Sequence, residues 1–390
     1  MAMELHQLIE KVSHMDITLL AGEKGMNNFV SWVHMVETKE ASTFLEGGEI
    51  AFSTGIGLNN GLSLLGLVHN IWMNKAAGAV INIGPFIETV PQEVIDFGNE
   101  NNFPIFLVPW KIHIAEIMRI FCYAITKSDQ KELETAAAFK NAIFFPKQEE
   151  LYVVPLSQLG FHVNWPYYVC AMKITAGSGS VVSINRLESI CSGLNNYLRH
   201  RKYDNIAVFH YENQVLIVLG NFEETALDSI VDDLKKYNKT YLDKAEQYFL
   251  GIGKCTKSIR CLYKSFHQAV AIQKLHVNHQ IEDSLISYSN MGIYKLLMGV
   301  EDKEVLTEYY NNTILPLQEY DQQGNTDLTE VLRCYLGHDG SVKDTADELY
   351  LHRNTVNYKI NKAGEILNMN LSSLDARLQL TLGFMLKDMI

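Results

Sequence analysis

The chain has 390 residues, enough for two to three domains of ordinary size. Apolar residues make up 47% and charged residues 20%, a composition that buries real cores and excludes a disordered chain. With 33 Lys+Arg against 45 Asp+Glu the net charge is -12, which excludes a globally basic nucleic-acid coat but not a local basic patch.

Residues 1–128 alternate β-branched or aromatic runs with helical stretches. The pattern predicts strands at Val30–Glu37, Glu49–Thr54, Ala79–Ile83 and Ile105–Pro109. Helices are predicted at Leu62–Ala76, Gln92–Asn101 and Ile112–Thr126, the first with a core-facing stripe of Leu65, Val68, Ile71 and Trp72. Such alternation implies right-handed crossovers and a mainly parallel sheet, an α/β domain. Residues 129–150 are charged and Ala-rich, and they predict a connecting helix stopped at Phe144-Phe145-Pro146.

From 151 to 289 the pattern is α+β. Strands are predicted at Tyr167–Ile174, Ile206–His210, Val215–Leu219 and Tyr248–Ile252, with helices at Leu187–Arg201, Glu224–Lys236 and Ile259–Leu275. His210-Tyr211-Glu212-Asn213-Gln214 reads as a hairpin connection, and Gly177-Ser178-Gly179-Ser180 as a flexible tip. From 290 to 390 the chain reads as all-helical. One stripe is Leu328, Val331, Leu332, Tyr335 and Leu336, with Gly337 as a stop; another is Leu378, Leu382, Met385, Leu386 and Met389.

Six cysteines are scattered with no C-x-x-C pair and no His spacing to match, which argues against a zinc module or a disulfide scaffold and fits a reducing cytosol. The first residues, MAMELHQLIEKVSH, carry acids and do not read as a signal peptide, and no apolar run predicts a membrane span. There is no H-E-x-x-H, G-x-S-x-G or P-loop, so neither a catalytic set nor a metal site is expected. Gly55-x-Gly57 lacks the third glycine of a dinucleotide fingerprint, since position 60 is Asn, and no cofactor is expected.

Ser341–Leu367 reads SVKDTADELYLHRNTVNYKINKAGEIL. Ser341 and Asp344 form an S-x-x-D capping signature for a short helix, Val342 to Leu349, with small Ala346 where two helices cross. Tyr350-Leu351-His352 interrupts the period, and a longer helix follows from Arg353 to Leu367. This is the helix-turn-helix pattern. On the second helix Val356, Ile360, Ala363 and Leu367 share the core arc. The opposite arc holds Asn354, Asn357, Tyr358, Asn361 and Lys362, flanked by Arg353 and Lys359, with no acid between His352 and Lys362. Amides and Arg suit base edges, while Lys, Tyr and a helix N-terminus suit phosphates. The candidate DNA-binding residues are therefore Ser341, His352, Arg353, Asn354, Thr355, Asn357, Tyr358, Lys359, Asn361 and Lys362. Tyr350 departs from the motif, because glycine is common in that turn, where φ is often positive.

LHRNTVNYKINK followed by LNMNLSSLDARLQLTLGFML resembles the C-terminal helix-turn-helix of the PucR (purine catabolism regulator) family, also called the CdaR type. The matching residues are His352, Arg353, Asn354, Thr355, Val356, Tyr358, Lys359, Ile360, Asp375, Arg377 and Leu378. VSWVHMVE, LEGGEIAFSTGIGL, GAVINIG and FPIFLVPW resemble the family's N-terminal domain, and the middle region is similar to its degenerate GGDEF-like domain. A working cyclase needs the GGDEF turn, which the hairpin at Glu212-Asn213 does not supply, so no enzyme is expected.

The implied organisation is a sensor domain at 1–128, a linker helix at 129–150, a GGDEF-like domain at 151–289, and a helical connector with DNA-binding domain at 290–390. Ligands of open α/β sheets sit beyond the carboxyl ends of strands, which makes Glu37, Thr54, Gly55, Gly84 and Trp110 the candidate effector residues. The expected protein is a cytoplasmic, dimeric or higher-order transcriptional regulator that binds double-stranded DNA. The resemblance implies a purine-derived or similar nitrogen- or carbon-source metabolite as its effector. The alternative is a ligand-sensing scaffold whose C-terminal helices bind a protein partner.

Overall fold

The computed structural model describes residues 3–278, 286–300 and 302–387; Met389 of the last predicted stripe lies outside them. The described chain divides into two compact units, Met1–Trp165 with Val182–Leu242, and Pro166–Val181 with Asp243–Ile390.

The first unit opens with β1 (Met3–Glu4), α1 (Leu5–Lys11), β2 (Thr18–Ala21), β3 (Phe29–Val30), β4 (Trp32–Met35), α2 (Lys39–Ser42) and β5 (Glu49–Ser53). There follow α3 (Leu64–Met73), β6 (Gly78–Ile83), α4 (Gln92–Glu100) and β7 (Ile105–Pro109). A five-stranded sheet runs in the order β2-β7-β6-β5-β4. Its three pairings from β4 to β7 are parallel, as expected, while β2 adds an antiparallel edge on β7. Neither β2 nor α1 is legible in the sequence pattern, because each is short. The predicted strand at 30–37 is broken at Ser31, whose N–H donates to the Gly48 carbonyl outside the ladder.

Alternation across the sheet sorts the core into two layers. Ile50, Phe52, Val80, Phe106 and Val108 face α1 and the helix that follows β7. Ala51, Ala79, Ile81 and Ile105 face α3 and α4. On α3, Val68 and Ile71 are buried as predicted, whereas Leu65 and Trp72 are half-buried and Leu64 and Leu67 fill the remaining contact.

The largest departure from expectation follows β7. The two helices predicted at 112–126 and 129–150 are one, α5 (Ile114–Phe144), 31 residues long. No Gly or Pro interrupts it, and the charged stretch around Lys127–Glu134 is merely its solvated middle. Ile117, Phe121, Ala124 and Ile125 pack on the sheet. About 25 Å further along, at 1.5 Å per residue, Phe139 stacks edge-on to Phe161 and parallel to Phe209. The helix stops before Phe145-Pro146, as expected.

After α6 (Val153–Gln158) the chain enters β8 (Tyr167–Thr175), which belongs to the second unit. It returns to the first with α7 (Ile184–His200), β9 (Ile206–Tyr211), β10 (Gln214–Gly220) and α8 (Glu224–Tyr241). The predicted hairpin is a two-residue turn joining β9 and β10, with Glu212 at φ 49. In the second unit β11 (Gln247–Ile252) pairs antiparallel with β8, and α9 (Leu262–Val277) covers the pair.

Among the described residues the second unit continues with α10 (Tyr294–Met298), α11 (Lys303–Thr313), α12 (Leu315–Gly324), α13 (Leu328–Gly337), α14 (Val342–Glu348), α15 (Arg353–Leu367) and α16 (Leu374–Lys387). Leu328, Val331, Leu332 and Tyr335 are buried as the stripe predicts. Of the described members of the stripe predicted on α16, Leu386 is buried, Leu382 and Met385 are half-buried and Leu378 is 51% exposed, while Ala376, Leu380, Gly383 and Phe384 supply the rest of the core face. Small residues decide this face, since a Cβ on Gly383 would lie 2.5 Å from Thr313 Oγ1 and 2.8 Å from the Ile314 side chain.

Phe121 is fully buried and meets Phe52 edge to face with ring centroids 6.0 Å apart. Phe121→Ala is expected to lower stability by about 3–5 kcal/mol, read as a shifted midpoint in urea denaturation; an unshifted midpoint would mean that α5 does not anchor this core.

Candidate nucleic-acid interface

Three helices build the interface. Ser341 caps α14: its Oγ accepts from the Asp344 N–H at 3.3 Å and donates to the Asp344 carboxylate at 2.5 Å. Ala346 is buried against α13 and α15. The helix then ends in a Schellman arrangement, in which the Leu351 N–H reaches back to the Ala346 carbonyl at 2.9 Å. That arrangement needs one left-handed residue, and it is Tyr350, at φ 55 and 96% exposed. The absence of glycine therefore does not change the turn; Tyr350 adopts the glycine conformation and turns its ring to solvent.

His352 begins the next helix, its Nδ1 accepting from the Asn354 N–H at 3.3 Å. On α15, Val356, Ile360 and Ala363 are buried and Leu367 packs against the same core, as the periodicity predicts. Burial of that arc forces the opposite one outward: Arg353, Asn354, Thr355, Asn357, Tyr358 and Asn361 are all exposed. Asn368, at φ 50, closes the helix.

The two lysines differ from the sequence expectation of an acid-free face. Lys359 forms an ion pair with Asp327, which immediately precedes α13. Lys362 lies 3.1 Å from Glu365, whose hydrogen bond holds its ammonium above the ordinary lysine range. Both acids lie outside the acid-free span from His352 to Lys362. Arg353 has no ion pair among the described residues and is left as the unneutralised cation of the helix. Lys343, exposed in the first turn of α14, was missed; its signal is its place just inside the capped N-terminus.

The candidate effector residues gather into two neighbouring groups. Glu37 accepts from Ser53 Oγ at 3.0 Å, from the Thr54 N–H and hydroxyl at 2.8 Å each, and from the Gly55 N–H at 3.0 Å. All its lone pairs are thereby engaged, and it holds the loop after β5. Gly84 lies beneath Trp110, whose ring a Cβ would strike at 2.3 Å, and Trp110 packs edge-on to Phe86. Ile87 joins the groups, touching Gly55 and accepting from the Gly84 N–H at 2.9 Å.

A separate crevice of about 830 Å³ lies along α5, α7 and β9. Glu132 projects into it, 15% exposed and 3.0 Å from Arg199 Nη2, and accepts from Asn195 Nδ2 at 3.0 Å. Burial raises the Glu132 carboxyl above its ordinary range, against the opposing pull of Arg199.

A capped short helix, a left-handed turn and an amphipathic helix with an outward amide face define a helix-turn-helix DNA-binding domain. Three stretches of the chain match models of the domains found in PucR-type transcriptional regulators. Residues 328–386 match the PucR C-terminal helix-turn-helix domain, residues 7–125 the purine catabolism regulatory protein-like family, and residues 155–275 the GGDEF-like domain. The chain is 26% identical over 308 residues to the proline-responsive transcriptional activator PutR of Bacillus subtilis (strain 168), covering 77% of this chain and 70% of PutR. Over 94 residues it is 35% identical to the purine catabolism regulatory protein of the same organism, covering 24% of this chain and 17% of that one. A solved regulator of polyketide synthase expression from Bifidobacterium adolescentis aligns with 64% of this chain and 90% of its own at 14% identity, with a TM-score of 0.29. The chain is thus a DNA-binding transcriptional regulator. Among the described residues no helix is long and apolar enough to cross a membrane.

Tyr350→Gly removes the cost of a left-handed β-carbon while loosening the unfolded chain, and is expected to stabilise the domain by about 0.5–1 kcal/mol. Chemical denaturation measures it, and a loss of stability would show that the ring, not the backbone, sets the turn.

Proposed function

We propose that this regulator is cytoplasmic and not an enzyme, acts as a dimer, and reads DNA with the exposed face of α15 under control of a small metabolite. The observation that carries the reading is that face: three exposed asparagines and Tyr358 behind an exposed Arg353, opposite a fully buried arc. Asparagines suit adenine edges and Arg353 a guanine edge or a phosphate; Lys343, Tyr358 and the first turn of α15 suit phosphates. Ser341, His352 and Thr355 hold or flank the caps, and Lys359 and Lys362 contribute once phosphate displaces their acids. So few cations bind one half-site weakly, whereas two copies on half-sites about 34 Å apart add their contacts. The turn Glu212-Asn213 offers neither the glycine pair nor the acidic pair of a cyclase, which supports a positioning role for 151–289.

The domain assignment is 1–128 for sensing, 129–150 for linkage, 151–289 for the GGDEF-like part and 290–390 for DNA binding. The names of the relatives, one responsive to proline and one of purine catabolism, support a nitrogen-source metabolite as effector. Of the two places for it, the crevice beside α5 is better supported than the Glu37–Trp110 region, because Glu132, Asn195 and Arg199 converge on open volume there. An effector that prefers one conformation 100-fold shifts the equilibrium by about 2.7 kcal/mol.

Arg353→Glu is expected to abolish specific DNA binding and to lower the slope of log affinity against log salt by about 2 in a dimer. Titration of promoter DNA at several salt concentrations reads both, and an unchanged slope would move the interface off α15. For the effector, a melting-temperature screen of amino acids and purine-degradation intermediates is repeated with Arg199→Ala and Trp110→Ala. Loss of the ligand-induced gain in Arg199→Ala alone is expected; loss in Trp110→Ala alone would move the ligand to the strand ends.

A further inference from the structure

Outside the DNA-reading face, one group of side chains in the helix-turn-helix domain has no role in the reading above. Cys334 stands near the end of α13, and His338 follows one turn later, so the two project from one side of the helix. Glu348, the last residue of α14, faces them: its carboxylate oxygen is 2.5 Å from His338 Nε2. The donor atoms of Cys334, His338 and Glu348 all lie within 4.8 Å of one another. Among the described residues no other three such side chains gather in this way.

We propose that Cys334, His338 and Glu348 form a site for a zinc-class divalent cation that ties α13 to α14. The donor set selects the metal. A thiolate, an imidazole and a carboxylate suit zinc or cobalt, whereas magnesium and calcium take oxygen donors only. Donor atoms around a tetrahedral zinc stand about 3.2–3.8 Å apart, given bonds of about 2.0–2.3 Å. The present spacing reaches that geometry when His338 and Glu348 part by roughly an ångström and the farthest donor pair closes by about as much, side-chain motions at a half-exposed surface. Water completes the fourth position, or else Glu330, which stands one turn before Cys334 on the same helix and acts electrostatically on its thiol.

The surroundings agree. The carboxylates of Glu348 and Glu330 both act on the Cys334 thiol, so a cation enters a negative field. A cation reverses that field, and the thiol gives up its proton as the metal–sulfur bond forms. Two residues beyond Glu348 the chain makes its left-handed turn at Tyr350 and starts α15. A cation bound here thus fixes the end of the helix that launches the DNA-reading helix. The sequence signal is Cys-x-x-x-His on one helix, a spacing that a search for C-x-x-C pairs passes over.

The test is a titration of the untagged, reduced full chain with Co2+. One saturable equivalent per chain is expected, with visible d–d bands and a near-ultraviolet thiolate-to-cobalt charge-transfer band, both bleached by Zn2+. Cys334→Ser removes the charge-transfer band, and His338→Gln and Glu348→Gln each weaken Co2+ binding tenfold or more. Cys255→Ser changes neither reading. If Cys334→Ser does not fold by circular dichroism, the affinities of the other two variants decide. A charge-transfer band that survives in folded Cys334→Ser, wild-type affinity in both His338→Gln and Glu348→Gln, or no saturable binding by the native chain overturns the site.

Discussion

The unbroken backbone of α5 is the constraint on which the first unit depends. A helix without Gly or Pro over 31 residues transmits position along its length, since each residue adds a fixed rise and rotation. One end is held by the sheet core through Ile117 and Phe121, the other by Phe139 against Phe161 and Phe209. Between them, polar residues meet water on most sides, and Glu132 leaves the helix to meet Asn195 and Arg199 of α7. A ligand that alters those polar contacts acts on a rod rather than on a slack tether.

In the DNA-binding domain the corresponding constraint is geometric. Burial of Val356, Ile360 and Ala363 determines the rotation of α15 about its axis, and the exposed amides follow from that rotation. The cap at Ser341 and the turn at Tyr350 set where the helix starts. Recognition is built from residues that the core does not need.

Much of this was legible in the residues. Strands on both sides of the hairpin at Glu212, the parallel order of the sheet, and α15 to its last residue follow from periodicity, β-branched runs and caps, which are local signals. What escaped was non-local or weak. Two short elements, α1 and β2, carry too few residues to show a period. The fusion of two predicted helices into α5 was hidden because a charged stretch looks like a boundary when only a breaker makes one. On α16 the buried face was legible only in part because Gly383 and Ala376 allow close approach to α11, and smallness does not register as hydrophobicity. The ion pair of Lys359 with Asp327 joins residues 32 apart in sequence, beyond the reach of any helical spacing.

That ion pair bears on selectivity. Lys359 is already satisfied before DNA arrives, so a phosphate that recruits it must outcompete Asp327 and leaves a bare carboxylate close to the duplex. The net gain is smaller than that of an uncommitted lysine, and it is realised only where the remaining contacts hold the phosphate in register. Random DNA offers no such register. In a chain of net charge -12, a pairing of this kind weakens sequence-independent attraction to nucleic acid.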